Sequence, residues 1–188
     1  MDEIVKAALA KWPNVPACYG WLGLDARGVW YMRDDKAQAA GPFAGPGSSP
    51  ASRGSQLRHD KLIDFIGRNY EADASGQWYF QNGPQRVYVE LEAAPFIWRV
   101  HDDLSVGSHT GLAARPQRCW LDEQGRLYLE TDLGFGLVHS LDMVQAAHAV
   151  ERGLWVPEHL PFGQMPARFG YLISPSRVRV ASAQQKAG

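Results

Sequence analysis

The length, composition and charge of this chain exclude several classes of protein. It has 188 residues, 45% of them hydrophobic, and a formal net charge of −1, so it can bury a sizeable core but lacks the basic surface expected of a nucleic-acid-binding protein. No apolar run is long enough to span a bilayer, and the acidic opening is unlike the basic start of a secretory signal. We therefore expect a cytoplasmic protein with neither a membrane nor a nucleic-acid partner.

The chain begins with a predicted helix over residues 2–12, which a proline ends because proline cannot continue a helix. Its apolar residues recur at helical spacing and are expected to share one buried face. They are Ile4, Val5, Ala8, Leu9 and Trp12. A hairpin follows, with predicted strands at 19–24 and 29–33 joined by a turn that starts at Asp25 and contains Gly28.

The turn of this hairpin recurs twice, at intervals of about 50 residues, which suggests related structural units in series. The three copies are Asp25-Ala-Arg-Gly28-Val-Trp30-Tyr31-Met32, Asp73-Ala-Ser-Gly76-Gln-Trp78-Tyr79-Phe80 and Asp122-Glu-Gln-Gly125-Arg-Leu127-Tyr128-Leu129. In each copy the Asp can accept backbone hydrogen bonds, and the Gly three residues later can adopt a positive φ. Side chains alternate between the two faces of the strand that follows. In each copy this alternation assigns two side chains to the core and one tyrosine to the opposite face. The core residues are Trp30, Met32, Trp78, Phe80, Leu127 and Leu129, and the tyrosines are Tyr31, Tyr79 and Tyr128.

Residues 34–55 differ from the rest of the chain because they are rich in Ala, Gly, Pro and Ser. Such a segment buries too little apolar surface to hold a regular element, so we expect a mobile loop. Arg53, Gly54 and Ser55 suggest phosphate binding, but the Gly-x-x-x-x-Gly-Lys-Ser/Thr pattern of a phosphate-binding loop is missing. A phosphate site is therefore the less favoured hypothesis for this segment.

A predicted helix over 57–70 has the clearest amphipathic pattern, with Leu62, Phe65, Ile66 and Tyr70 on one face. The strands predicted after it lie at 77–81, 85–92 and 96–100. Strands joined by short turns pair antiparallel, so we expect an antiparallel meander. Along the strand 85–92, alternation places Val87, Val89 and Leu91 on one face and Tyr88, Glu90 and Glu92 on the other.

The second half of the chain is predicted to contain a third hairpin, a helix and a last strand. The predicted elements are strands at 118–121 and 126–131, a loop or short strand at 133–139, a helix at 141–152 with Ser140 as N-cap and Gly153 after its end, and a strand at 167–173. The fold class is therefore predicted to be α+β, with antiparallel β-hairpins in repeated units and about three helices packed on the sheet. The expected organisation is a hairpin–helix–hairpin part at 1–100, a second β-rich part at 101–175 and a flexible tail at 176–188.

The run from Leu22 to Phe96, about two fifths of the chain, resembles an uncharacterised, mostly proteobacterial family of domains of unknown function. The residues that carry the resemblance are Asp25, Gly28, Trp30 and Tyr31, then Leu62, Phe65 and Ile66, then Asp73, Gly76, Trp78 and Tyr79, and finally Val87, Val89, Glu90, Ala94, Pro95 and Phe96. The chain departs from the family's pattern by the insertion at 34–55 and by the additional residues Leu91 and Glu92. The resemblance implies repeated β-hairpin and helix units and a ligand-binding or signalling role, and it transfers no active-site residue.

Several groups of residues could in principle carry chemistry. His101, Asp102, Asp103 and His109 have the atoms of a metal site, but an acidic surface loop explains the same residues. His139, Ser140 and Asp142 contain the members of a hydrolytic triad, but triad members converge from separate elements, and Ser140 is better explained as a helix cap. Cys119 beside Arg118 could be an activated thiolate. Neither it nor Cys18 stands in a Cys-x-x-Cys motif, and both are expected to be small buried side chains.

The hypothesis that these observations favour is a non-enzymatic module that binds a small molecule or has a regulatory role in a soluble bacterial protein. Its apolar cleft would be lined by Tyr31, Tyr79, Tyr128, Tyr88 and Glu90. No catalytic residue, metal ligand or cofactor is predicted. An enzyme with an unrecognised site and a homodimeric scaffold remain as alternatives, so the partner is expected to be a small molecule, another protein or a second copy of the chain.

Overall fold

The computed structural model describes residues 1–185, with side chains to residue 180, and this part of the chain holds thirteen β-strands and seven α-helices. The strands are β1 (Cys18–Leu24), β2 (Trp30–Met32), β3 (Ser55–Gln56), β4 (Tyr70–Ala72), β5 (Trp78–Asn82), β6 (Gln85–Leu91), β7 (Phe96–Val100), β8 (Val106–Ser108), β9 (Ala113–Ala114), β10 (Pro116–Leu121), β11 (Leu127–Thr131), β12 (Gly134–Val138) and β13 (Pro157–His159). The helices are α1 (Glu3–Lys11), α2 (Asp35–Ala39), α3 (Pro50–Arg53), α4 (Asp60–Arg68), α5 (Met143–Glu151), α6 (Met165–Phe169) and α7 (Pro175–Gln185). The predicted α+β class is confirmed.

The chain forms two units, each with its own sheet. The first unit comprises Met1–Asp25, Val29–Glu92 and the described part of Tyr171–Gly188, and the second comprises Ala26–Gly28 and Ala93–Gly170. The sheet of the first unit has the strand order β3-β2-β1-β6-β5-β4, and that of the second has the order β13-β10-β11-β12-β7-β8-β9.

Both sheets are mixed, which corrects the expectation of a purely antiparallel meander. In the first sheet β1 runs parallel to β6, and in the second β12 runs parallel to β7 and β10 parallel to β13. The hairpins themselves are antiparallel, as adjacency in the chain predicts. The parallel pairs join strands that are distant in the sequence, so no local turn determines their direction.

The three Asp-x-x-Gly turns have the same construction. In each, the Asp amide donates to the carbonyl four residues later at 2.9 to 3.1 Å, and an Asp side-chain oxygen accepts from the amide of that same later residue. Gly28, Gly76 and Gly125 all have positive φ, between 73° and 79°. The second turn is preceded by β4, because α4 ends at Arg68 instead of continuing to the predicted residue 70. All three turns therefore join two antiparallel strands.

The expected core positions after these turns hold with one clear exception. Trp30, Phe80, Leu127 and Leu129 are buried and Trp78 is half-buried, whereas Met32 is 51% exposed. The predicted buried face of the first helix is also wrong in part, since Ile4 is 76% exposed and only Val5 of α1 is buried.

The expectation that residues 34–55 hold no regular element is wrong, since α2, α3 and the first residue of β3 lie within them. The buried guanidinium of Arg33, the residue just before the segment, holds it in place by hydrogen bonds. This group donates to the carbonyl oxygens of Ser52 at 2.7 Å, Gly20 at 3.1 Å, Ala37 at 3.3 Å and Gly41 at 2.6 Å. Hydrogen bonds to one buried charge thus supply the order that the segment's own apolar content cannot.

Within the same segment, Asp34 and Ser49 cap α2 and α3 with their side chains. The ring of Phe43 packs against the first sheet at Gly23, where a Cβ atom would lie only 2.5 Å from the ring. A glycine at position 23 therefore provides the space in which this segment docks.

Two further predictions in the C-terminal part are corrected. Residues 165–169 form α6 instead of a strand, because Pro166 stands in its first turn and Gly170 ends it with a φ of 66°. The side chain that accepts a hydrogen bond at the start of the helical stretch near 140 is His139 and not Ser140, which lies inside a short 3-10 turn. Residues 176–185 of the expected tail lie in α7, residues 186–188 lie outside the described part of the chain, and the flexibility of the tail stays a prediction.

Candidate ligand-binding site

Four of the five residues predicted to contact a ligand share one face of the first sheet. Tyr88 lies directly opposite Tyr79 on the neighbouring strand, and Glu90 follows two residues later on the same side of β6. Glu90 is in register with Gly23 of β1, and Gly23 is in register with Tyr31 of β2. We call the surface formed by Tyr31, Tyr79, Tyr88 and Glu90 the tyrosine face.

The polar groups of the tyrosine face are largely engaged with neighbouring side chains. The hydroxyl of Tyr88 donates to Asp73 at 2.9 Å, and that of Tyr79 donates to Glu71 at 3.3 Å. Both rings are buried, and Tyr88 also stacks on Tyr19 with 4.5 Å between ring centroids. Burial, with a further contribution from the nearby Asp73 carboxylate, raises the pKa of Tyr88 to about 12.

Glu90 and Tyr31 are likewise engaged in internal contacts. The buried carboxylate of Glu90 accepts hydrogen bonds from the hydroxyl of Ser174 and from the backbone amide of Ser176 in the first turn of α7. This docks the C-terminal helix on the sheet. The ring of Tyr31 lies 5.8 Å from that of Phe43 and is covered by the guanidinium of Arg53 at 5.5 Å.

Tyr128 belongs to the other unit, so the three repeated tyrosines do not line one surface of a single sheet. Its ring is fully buried and stacks on Phe135, with the ring centroids 5.5 Å apart. Its hydroxyl donates to Asp122, the first residue of the third turn, at 3.2 Å. The part that Tyr31, Tyr79, Tyr88, Glu90 and Tyr128 play in ligand binding stays a prediction.

The opposite face of the first sheet carries a cavity that the sequence analysis does not predict. Its volume is about 250 Å³. The residues that line it, which together define the α4 cavity, are Cys18, Trp21, Leu22, Met32, Leu62, Ile66, Phe80, Asn82 and Val87. Adjacent strands supply the floor, since Leu22, Val87 and Phe80 come from β1, β6 and β5, and Met32 of the neighbouring β2 lies at the rim. Helix α4 supplies one wall with Leu62 and Ile66. These side chains form one surface because alternate residues of a strand point to the same face of a sheet.

The rim of the α4 cavity is more exposed than its floor. Leu22, Ile66 and Phe80 are buried, whereas Trp21 is 44% exposed and Met32 is 51% exposed. A break in the register of β1 and β6 lies between Cys18 and Leu22, and Gly20 within it has a φ of 79°. Trp21 and Cys18 reach the same cavity across this bulge, so alternation alone could not assign both of them to it.

The chain matches the model of one protein family over most of its length. A family model, DUF2944, with the description "Protein of unknown function (DUF2946)", matches residues 1–176. The chain belongs to this family. The part of the motif resemblance that concerns an uncharacterised domain is therefore confirmed. The proteobacterial distribution and the hairpin pattern as a family trait stay predictions.

Two solved structures are similar to this chain at low identity. A DUF1285 family protein from Shewanella baltica OS155 shares 14% identity with a TM-score of 0.45, covering 68% of this chain and 91% of that one. A DUF1285 family protein from Silicibacter pomeroyi DSS-3 shares 13% identity with a TM-score of 0.47, covering 78% of this chain and 83% of that one. Similarity at this level says nothing about function. No curated protein gives a significant match to the chain.

The next feature is the group of residues that the sequence offered as an alternative metal site. No group of three or more His, Cys, Asp or Glu side chains that could hold a metal forms within residues 1–180. Nδ1 of His109 accepts a hydrogen bond from the amide of Ile97 at 3.2 Å, and burial lowers the pKa of His109 to about 3. His109 is therefore a neutral side chain at physiological pH.

Asp142 of the triad hypothesis has structural partners, and Cys119 of the thiolate hypothesis is buried. Asp142 accepts two hydrogen bonds from the guanidinium of Arg99, at 2.6 and 3.0 Å, and one from the amide of Val100. The bond from Arg99 is the main reason that the pKa of Asp142 is lowered. Cys119 is buried, and this burial raises the pKa of its thiol to about 12, the opposite of what an activated nucleophile requires. Cys18, in contrast, is only half-buried.

Over residues 1–185, no helix combines the length and the apolar composition that crossing a membrane requires.

Proposed function

We propose that the first unit is a non-enzymatic binding module that holds a small molecule in the α4 cavity. The observation that supports this most is the cavity itself, which has about 250 Å³ of space between four strands and a helix. Small-molecule sites in proteins are concave and mostly apolar, with a few polar groups that orient the ligand. Seven of the nine lining residues are apolar, and Cys18 and Asn82 are the other two.

The exposed rim supports binding on energetic grounds. Trp21 and Met32 are large side chains that remain partly in water. A ligand in the cavity would remove part of both surfaces from water, and each Å² of apolar surface buried contributes about 25 cal/mol. The unbranched, polarizable Met side chain also adapts easily to ligands of different shape.

The composition of the lining favours binding over catalysis. None of the nine lining residues is Asp, Glu, His, Lys or Arg, the residue types that most often act as general acids, general bases or charge stabilisers. A ligand that binds only the native state stabilises that state by mass action. The regulatory role proposed from the sequence would be such a ligand-dependent change in the stability of the first unit.

A fragment screen with a cavity-filling variant tests the proposal. A library of compounds with about ten non-hydrogen atoms is screened by thermal shift, and each hit is confirmed by chemical-shift changes of the Leu62 and Met32 methyl groups. The variant Leu62→Trp places an indole in the cavity, and we expect it to lose the hits. Lys61→Trp is the matched control, because Lys61 is exposed on the same helix and does not line the cavity.

Two results would overturn the proposal. One is a screen in which no compound changes the methyl resonances of Leu62 and Met32. The other is a set of hits that bind Leu62→Trp and Lys61→Trp equally well. If Leu62→Trp does not fold, intermolecular nuclear Overhauser contacts between a hit and the Leu62 and Met32 methyl groups of the unmodified protein decide the question instead.

A further inference from the structure

We infer that the ligand of the α4 cavity is an uncharged, mainly apolar molecule of about eight to ten non-hydrogen atoms, with one hydrogen-bonding group that meets the side chain of Asn82. This inference rests on the proposed function and adds the chemical class of the ligand.

The volume of the cavity limits the size of the ligand. A water molecule occupies about 30 Å³ of the liquid, and an engineered apolar cavity of about 150 Å³ in another protein holds one benzene molecule. The α4 cavity, at about 250 Å³, therefore has room for one aromatic ring with a short alkyl chain. A larger molecule would have to extend past Trp21 and Met32 into water.

The charge of the lining excludes an ionised ligand. The nine lining residues carry no formal charge, so a carboxylate or an ammonium group in the cavity would lose its hydration without gaining an opposite charge. Burying an ion in that way is far more costly than burying a neutral polar group. We therefore expect the site to select a neutral molecule over a charged one of the same shape.

Asn82 provides the polar end of the site. It is the last residue of β5 and lies two residues after Phe80, so its side chain is on the same side of the strand as the cavity floor. The side chain is exposed and forms no hydrogen bond with the described part of the chain. An amide can both donate and accept, so a hydroxyl group, which does the same, is a suitable partner. The other polar lining group, the Cys18 thiol, is only a weak donor.

Three probes with the same propylbenzene skeleton test the inference: 4-propylphenol, which is neutral with a hydroxyl group, propylbenzene, which is neutral without one, and 3-phenylpropylammonium, which is charged at pH 7. Dissociation constants are measured at pH 7 by following the methyl resonances of Leu62 and Met32. We expect 4-propylphenol to bind at least tenfold more tightly than 3-phenylpropylammonium and several-fold more tightly than propylbenzene. Each tenfold ratio corresponds to about 1.4 kcal/mol.

The variant Asn82→Ala separates the hydrogen bond from the rest of the site. This variant should lower the affinity for 4-propylphenol to that for propylbenzene, and it should leave the affinity for propylbenzene unchanged. Asn14→Ala is the control, because it removes an exposed amide that does not line the cavity. The side-chain amide resonances of Asn82 should move with 4-propylphenol and not with propylbenzene.

The outcomes distinguish a failure of this inference from a failure of the proposed function. If 3-phenylpropylammonium binds as tightly as 4-propylphenol, or if Asn82→Ala leaves the ratio of the two neutral probes unchanged, the ligand class is wrong although the cavity still binds small molecules. If none of the three probes binds but compounds of the fragment library do, the ligand class is again wrong. If neither the probes nor the library binds, the proposed function fails.

Discussion

The two faces of the first sheet differ in how completely the protein covers them. On the tyrosine face, the hydroxyls of Tyr79 and Tyr88 and the carboxylate of Glu90 all have partners within the unit. Phe43 and α7 are docked on the same face. On the opposite face, α4 leaves a cavity with Trp21 and Met32 partly exposed at its rim.

Element size explains this difference. A helix of nine residues such as α4 is about 13 Å long and about 10 Å wide. A sheet of six strands at about 4.8 Å spacing is more than twice as wide as the helix, so α4 by itself covers only part of this face. Aromatic side chains with hydroxyl groups therefore identify a well-packed region here, while the accessible surface lies where apolar residues are incompletely covered.

The substitution with the largest expected effect tests how the tyrosine face is closed. Arg33→Met removes the guanidinium that donates to four backbone carbonyls and leaves those groups buried without it. We expect the free energy of unfolding to fall by about 3 to 5 kcal/mol. Urea unfolding measures the loss, and limited proteolysis should cut within residues 34–55. The exposed Arg58 supplies the control Arg58→Met, and equal stability of the two variants would show that Arg33 does not hold this segment.

A smaller effect is expected where Phe43 meets the sheet. In Gly23→Ala the new methyl group would lie 2.5 Å from the Phe43 ring, so the ring must move, at a cost of about 1 to 3 kcal/mol. Adding Phe43→Leu should recover part of this loss, because neighbouring substitutions are not additive. Gly163→Ala, whose Cβ meets no atom within 4 Å, should leave stability nearly unchanged. A double variant whose loss equals the sum of the two single losses would contradict the docking of Phe43 at Gly23.

The smallest effect concerns one hydroxyl of the tyrosine face and depends on pH. Tyr88→Phe removes the hydrogen bond to Asp73 and should cost about 1 kcal/mol at neutral pH. The pKa of Tyr88 is about 12 in the folded protein, against about 10 in an unfolded chain. The unfolded state therefore loses this proton first, and the contribution of Tyr88 to stability declines as the pH rises from about 10 to 12.

Unfolding free energies measured across this range should fall less steeply for Tyr88→Phe than for the unmodified protein. Tyr19→Phe, which keeps the ring stacked on Tyr88, serves as the control. If all three proteins lose stability with the same slope, Tyr88 is not held in its neutral form by the fold.

The candidate site was only partly accessible from the sequence. Alternation along β5 and β6 correctly places Tyr79, Tyr88 and Glu90 on one face, but alternation cannot show that Asp73, Glu71 and Ser174 occupy their polar atoms. The α4 cavity escaped prediction for a different reason. Its lining comes from four strands and a helix that meet only when β1 pairs with β6, and its residue types are those of an ordinary core.

The repeated turns and their hairpins could be predicted from local sequence patterns alone. The three Asp-x-x-Gly turns and their hairpins follow from short-range hydrogen bonds of the Asp side chain and from the positive φ of Gly, which involve only residues that are neighbours in the chain. The α+β class follows from the same local patterns.

The way in which these elements combine depends on long-range contacts that local patterns do not contain. The parallel pairs, the order in residues 34–55 and the α4 cavity all depend on contacts between residues far apart in the sequence, such as those of Arg33 with Ser52 or of β1 with β6. Such contacts form only if the burial and hydrogen bonds that they gain exceed the entropy lost in closing the intervening loop. The balance between these gains and the loss of entropy depends on the whole fold, so it cannot be predicted from any single motif in the chain.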